Sequence, residues 1–104
     1  MVQRNALTRR DILRLLQCHQ EILRQYKVRR IGLFGSFATG HQNSKSDIDF
    51  LVEFEQPTFD NFIGLVADLE KLFHRKVEVL TPDGVEGIRI KHVAENIKKS
   101  VVYA

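Results

Sequence analysis

From Gly35 to Asp49 the chain reads Gly-Ser-Phe-Ala-Thr-Gly-His-Gln-Asn-Ser-Lys-Ser-Asp-Ile-Asp. Two parts of this stretch have a chemistry of their own. Gly35-Ser36 closes a β-prone run, and a strand that turns tightly there presents backbone N–H groups and a hydroxyl to an anion. Glycine suits the position because a Cβ would hold a phosphate away from the backbone. Asp47 and Asp49 flank Ile48 at the start of a second β-prone run. Side chains alternate along a strand, so both carboxylates point to one face, with Cα atoms about 7 Å apart. Two carboxylates so placed repel each other unless a cation lies between them. Mg²⁺ suits such a site, because it takes one or two carboxylates and completes its shell with water and substrate phosphates. Either half alone is more often structural than functional. Joined by one short loop, a phosphate-binding turn and a carboxylate pair make a site for phosphoryl or nucleotidyl transfer.

The elements that must hold this stretch follow from periodicity. Thr8-Arg9-Arg10-Asp11 has the form of a capping box. Ile12, Leu15, Leu16, His19, Ile22, Leu23 and Tyr26 continue from it as one apolar stripe, which predicts a helix of about four turns. Within it, His19 reads as half-buried and Cys18 as a small buried filler. Val28 to Phe34 is a strand ending at Gly35, a short helical turn follows, and Gly40 to Ser46 is a polar loop. Ile48 to Phe54 is the second strand, closed by Gln56-Pro57. Phe59, Phe62, Ile63, Val66, Leu69 and Phe73 mark a helix with Thr58 as its N-cap. Lys76 to Thr81 is a third strand, and Ile90, Val93, Ala94, Ile97 and Val101 mark a final helix. This order implies an α/β (α+β) domain: a small mixed sheet of about three strands covered by about three to four helices.

The 104 residues predict one domain spanning 1–104, with no internal repeat or linker. Apolar residues make up 43% and charged residues 28%, with 6 Gly and 2 Pro, which excludes collagen-like, mucin-like and disordered chains. No apolar run approaches the ~20 residues of a membrane helix, and no secretory signal is visible. The single Cys18 cannot form an internal disulfide, which fits a cytoplasmic location. The net charge is +3, but unevenly spread: residues 1–52 carry nine basic and four acidic side chains, residues 53–104 seven and nine. The early positives read as a solvated or docking face, and no helix-turn-helix, zinc or RNA-recognition signature accompanies them. Nucleic acid is therefore not the expected partner. Nor do the histidines and Cys18 have zinc-ligand spacing.

Gly35-Ser36, ten residues, then Asp47-Ile48-Asp49 resembles the signature of nucleotidyltransferases of the DNA polymerase beta superfamily. The run GSFATGHQNSKSDIDFLVEF is similar to the core motif of the minimal nucleotidyltransferases, one-domain antitoxins paired with HEPN-domain toxins. The helix before the first strand, the strand VEVLT and a terminal helix ending Val101-Val102-Tyr103 extend the likeness over nearly the whole chain. The resemblance implies Mg²⁺-dependent transfer of a nucleotide, AMP from ATP, to a hydroxyl of the partner toxin. It implies a third carboxylate at Glu78, which interrupts an otherwise apolar strand with parity opposite to Val77 and Val79. Asp47 and Asp49 would then hold one Mg²⁺ and, with Glu78, a second that lowers the pKa of the attacking hydroxyl. Gly35 and Ser36 would cradle the phosphates.

Two positions depart from the family pattern. The third carboxylate is more often Asp, and the position of Thr39 is often Arg; Lys45 in the following loop is the candidate to replace that charge. Two other readings stay open: a binding module that neutralises its toxin by covering it, and the catalytic half of an aminoglycoside-type nucleotidyltransferase. A chain this short leaves no room for an acceptor pocket, so a hetero-oligomer or a homodimer is expected.

Overall fold

The computed structural model describes residues 7–43, 45–83 and 101–104. Helix α1 (Arg9–Cys18) starts at Thr8 with the predicted capping box: Thr8 Oγ1 accepts from the Asp11 amide at 3.2 Å, and Asp11 Oδ2 accepts from the Thr8 amide at 3.1 Å. The long helix expected through Tyr26 is broken. His19 leaves helical geometry (φ −122°, ψ 45°), and α2 (Gln20–Gln25) begins afresh. Its Nδ1 lies 2.9 Å from the Leu15 carbonyl, a local side-chain bond that competes with continued helix. His19 is half-buried as expected, whereas Cys18 is exposed rather than buried, since it lies about 200° round α1 from the buried Leu16.

Strand β1 (Val28–Phe34) pairs antiparallel with β2 (Ile48–Phe54), and the two are joined through the short helix α3 (Ser36–Thr39). Helix α4 (Phe59–Phe73) starts at Thr58, whose Oγ1 accepts from the Asn61 amide at 3.1 Å. It carries the chain to β3 (Val77–Leu80), which lies parallel to β2 as a helical crossover requires. The sheet has a fourth strand, β4 (Val102–Tyr103), antiparallel to β1, giving the order β3-β2-β1-β4. Val102-Tyr103 is therefore strand, not the end of a helix; β-branched and aromatic residues fit a pleated surface. The rest of the expected terminal helix lies outside the described residues.

One face of the sheet carries the main core. Ile31 and Leu33 of β1, Ile48, Phe50 and Val52 of β2, and Val77 and Val79 of β3 pack with Ile12 and Leu16 of α1 and Leu65 and Leu69 of α4. The alternate residues Phe34, Leu51 and Leu80 form a smaller cluster with Val101 on the other face. The buried side of α4 is shifted from the expected stripe. Leu65, Leu69 and Phe73 point inward, while Phe59 and Ile63, one turn apart, are exposed. No helix among the described residues is long and apolar enough to cross a membrane.

Candidate active site

The site is built where β1 ends and β2 begins. At Gly35 the backbone takes φ +77° and ψ −155°, a region essentially restricted to glycine, to turn from β1 into α3. A Cβ there would collide with Asp49 Oδ2, so the turn and the carboxylate are packed directly together. As at any helix start, the amides of Ser36 and Phe37 find no partner within α3. Ala38 and Thr39 instead bond back to the Gly35 carbonyl at 3.1 and 3.2 Å and close the turn.

Register brings the carboxylates together. Asp49 pairs with Phe34 across the antiparallel ladder and with Glu78 across the parallel one. Neighbouring strands are about 4.8 Å apart, and in-register residues share a face, so Asp49 and Glu78 stand side by side. Their face is that of Phe34, Leu51 and Leu80, away from α1 and α4. Asp47 immediately precedes β2. Burial first, then the charges of Glu78 and Asp47, push the Asp49 carboxyl up from 3.8 to about 6. No group of three His, Cys, Asp or Glu side chains among the described residues is arranged ready to hold a metal ion. Mutual repulsion of the carboxylates is the force that a cation would cancel. The donor set, three oxygen acids beside an amide-rich turn, fits a hard divalent ion and not zinc.

Of the other expected site residues, Ser36 opens α3, half-buried beside Gly35. Lys45 is exposed in the loop before β2; its amide donates to Asn43 Oδ1 at 2.8 Å, and its ammonium has no hydrogen bond or ion pair among the described residues. The Thr39 hydroxyl lies 3.3 Å from the Gly35 and Ser36 carbonyls and 3.0 Å from His41 Nδ1, fastening its own helix and the loop that follows.

The sequence reading missed Arg75. From the turn between α4 and β3 its Nη1 donates to the Ser46 carbonyl at 2.8 Å, and its guanidinium lies 5.3 Å from the centre of the Phe37 ring. Ser46 adjoins Asp47, Phe37 adjoins Ser36, and Arg75 itself is three residues before Glu78. One side chain thus ties together the three segments that carry the site. In sequence it is a basic residue after a helix, in His74-Arg75-Lys76, and nothing there distinguishes it.

A glycine turn opening onto a carboxylate-bearing β-strand, on a mixed four-stranded sheet, is an arrangement suited to nucleotidyl transfer. The chain belongs to the nucleotidyltransferase domain family, whose pattern matches residues 15–104. It is 36% identical over 97 residues to a protein of Methanocaldococcus jannaschii provisionally named a protein adenylyltransferase, covering 89% of this chain and 94% of the relative. It is 34% identical over 99 residues to the protein adenylyltransferase MntA of Thermococcus cleftensis, covering 93% and 96%. Among solved structures, one provisionally described as a minimal nucleotidyltransferase superposes with a TM-score of 0.73 at 21% identity, covering 95% of this chain and 98% of that one. A toxin–antitoxin complex with AMP-PNP gives 0.62 at 21% identity over 93% and 72%. A tri-AMPylated HEPN toxin of Shewanella oneidensis in complex with MNT antitoxin gives 0.58 at 16% identity over 88% and 70%. These structures share the expected minimal nucleotidyltransferase fold.

Proposed function

We propose that this protein is a Mg²⁺-dependent protein adenylyltransferase that moves AMP from ATP to a hydroxyl of a HEPN-domain toxin, and acts as that toxin's antitoxin through a single domain spanning 1–104. The observation that carries the reading is the direct packing of the Gly35 turn on Asp49, with Glu78 in register beside it. The names of the relatives support the same reaction. In it the acceptor oxygen bonds to the α-phosphorus, the bond from that phosphorus to the bridging oxygen breaks, pyrophosphate leaves, and the hydroxyl proton passes to water.

Ser36 and the amides of the Gly35 turn orient the triphosphate, holding the α-phosphorus in line with the acceptor. Asp47, Asp49 and Glu78 would hold the two Mg²⁺. Bound there, the metal supplies charge neutralisation for the phosphates and a lowered pKa at the attacking hydroxyl. Arg75 keeps the turn, Asp47 and Glu78 in one arrangement. In this reading the acceptor hydroxyl is supplied by the partner. Dependence on ATP, with no disulfide to maintain, assigns the reaction to the cytoplasm.

The test is co-expression with the HEPN-domain partner and mass spectrometry of that partner. Wild type should add AMP, and Asp47→Ala with Asp49→Ala should abolish the adduct. Labelling that survives the double substitution refutes the site. Full neutralisation without any adduct would favour the binding-only reading.

A further inference from the structure

A cavity of about 640 Å³ lies between the first turn of α1 and the segment from Phe37 to Gln42. None of Asp47, Asp49 and Glu78 lines it, and it meets α3 from Phe37 onward, beyond the Gly35-Ser36 turn. Arg9, Arg10 and Arg14 line its α1 side. Arg9 is anchored across the cavity, its Nη1 donating to the Ala38 carbonyl at 2.9 Å, which leaves most of its guanidinium donors available. Among the described lining residues the one acid is Asp11, which accepts from the Thr8 amide in the capping box and lies 3.8 Å from Arg14 Nη2. Three arginines against one aspartate, which Arg14 partly offsets, leave the described lining net positive, and the positive end of the α1 dipole adds to it.

Gln42 adds a second requirement. Its Nε2 donates to the Leu7 carbonyl at 3.4 Å, and its Oε1 is buried with no donor among the described residues. Buried acceptors are normally satisfied, so an occupant should offer a hydroxyl or amino hydrogen as well as negative charge. The volume matches a small molecule and far exceeds a lone phosphate. A nucleic-acid strand is disfavoured, because among the described residues the next arginines along β1 stand apart from the cavity. Arg29 and Arg30, at the far end of β1 about 20 Å away, are ion-paired with Glu53 at 4.0 and 3.8 Å.

We propose that this cavity is a second, metal-independent nucleotide site, in which the arginines hold the phosphate of a mononucleotide and Gln42 Oε1 accepts from its nucleoside. It does not rest on the adenylyltransferase reading, and its test is separate.

Calorimetric titration of the full chain with AMP in EDTA should show one site per chain. Arg10→Ala with Arg14→Ala should weaken it at least about tenfold, since charge-assisted phosphate contacts are lost. Asp47→Ala with Asp49→Ala should leave it unchanged. Gln42→Met should weaken AMP but not pyrophosphate. If the arginine variant misfolds, amide shifts in the wild-type NMR spectrum decide: AMP should move Arg9, Arg10, Thr39 and Gln42. Absence of AMP binding in EDTA, loss of it in the aspartate variant, or shifts confined to Ser36 and Asp47–Asp49 would each overturn the proposal. So would pyrophosphate binding as tightly as AMP, which makes the cavity a plain anion site, or single-stranded RNA binding more tightly than AMP.

Discussion

Asp49→Asn gives a quantitative measure of what it costs to bury a charge at the candidate site, with the repulsion of Glu78 and Asp47 added to it. The Asp49 carboxyl is pushed up to about 6 in the folded protein, from an ordinary value of 3.8. Below about pH 3 it is largely protonated in both folded and unfolded chains, and the shift costs little. As the pH rises from about 4 to 6, the unfolded chain releases the proton while the folded one keeps it, so stability falls through that window and stays low above it. A shift of about 2 units corresponds to ~3 kcal/mol. Asp49 is only partly buried, so solvent screening reduces this to about 1–2 kcal/mol. Asp49→Asn keeps the shape and removes the charge. In EDTA at pH 7.5 it should be the more stable protein by that amount, raising Tm by roughly 4–15 °C in a domain of this size. At pH 4 the advantage should shrink to about a fifth. Millimolar Mg²⁺ should reverse the order at pH 7.5 by stabilising the wild type alone. Thermal unfolding followed by circular dichroism, with and without Mg²⁺, measures all three effects. An Asn variant no more stable than wild type in EDTA, or an advantage independent of pH, would refute the electrostatic reading.

Gly35→Ala forces a side chain into positive φ and against Asp49 Oδ2; AMP transfer should fall more than about 100-fold, with about 1–3 kcal/mol lost in chemical denaturation. Arg75→Ala removes the bond to the Ser46 carbonyl and the contact with Phe37. Transfer should drop roughly tenfold in kcat, and Arg75→Lys should recover little, because ammonium lacks the planar fork. Gly64→Ala drives a Cβ into the Tyr26 ring, which is fixed by its hydroxyl donating to Asp68 Oδ2 at 2.8 Å. It should cost about 1–3 kcal/mol, and a double-mutant cycle with Tyr26→Ala should show the cost largely cancelled.

The parts of the fold legible in sequence were those written locally. Both predicted caps, Thr8 and Thr58, form the bonds expected of them, because a cap and its partner are three residues apart. The helix break at His19 was hidden, since the apolar stripe continues through it and only the ring bond to Leu15 reveals the competition. Strand β4 was hidden for the opposite reason: a two-residue strand has no period, and its pairing with β1 spans most of the chain. One mark of it was visible. Gly32 sits in an apolar strand where a side chain would be expected, and a Cβ there would collide with Val101 and approach Tyr103 Cδ1 to 2.8 Å. A glycine inside a strand signals close approach by another segment.

The same contrast explains the candidate site. Gly35, Ser36, Asp47 and Asp49 lie within one short stretch, so their meeting is nearly local. Glu78 reaches them only through the register of β3 on β2. That register is set by Phe50 opposite Val79 and Ile48 opposite Val77, all four buried. A slip of one residue would carry Glu78 into the core and Val77 or Val79 out to the face of Asp49. The start of β3 is held by the Val77 amide donating to Glu70 Oε2 at 3.2 Å and by the Ile48 amide donating to the Lys76 carbonyl at 3.1 Å. Core packing and the third carboxylate are thus one constraint. Glu70→Ala, which touches neither nucleotide nor carboxylate, should therefore reduce transfer through Glu78 placement. Amide exchange at Val77 should quicken with it; unchanged exchange alongside reduced transfer would show that Glu70 acts by another route.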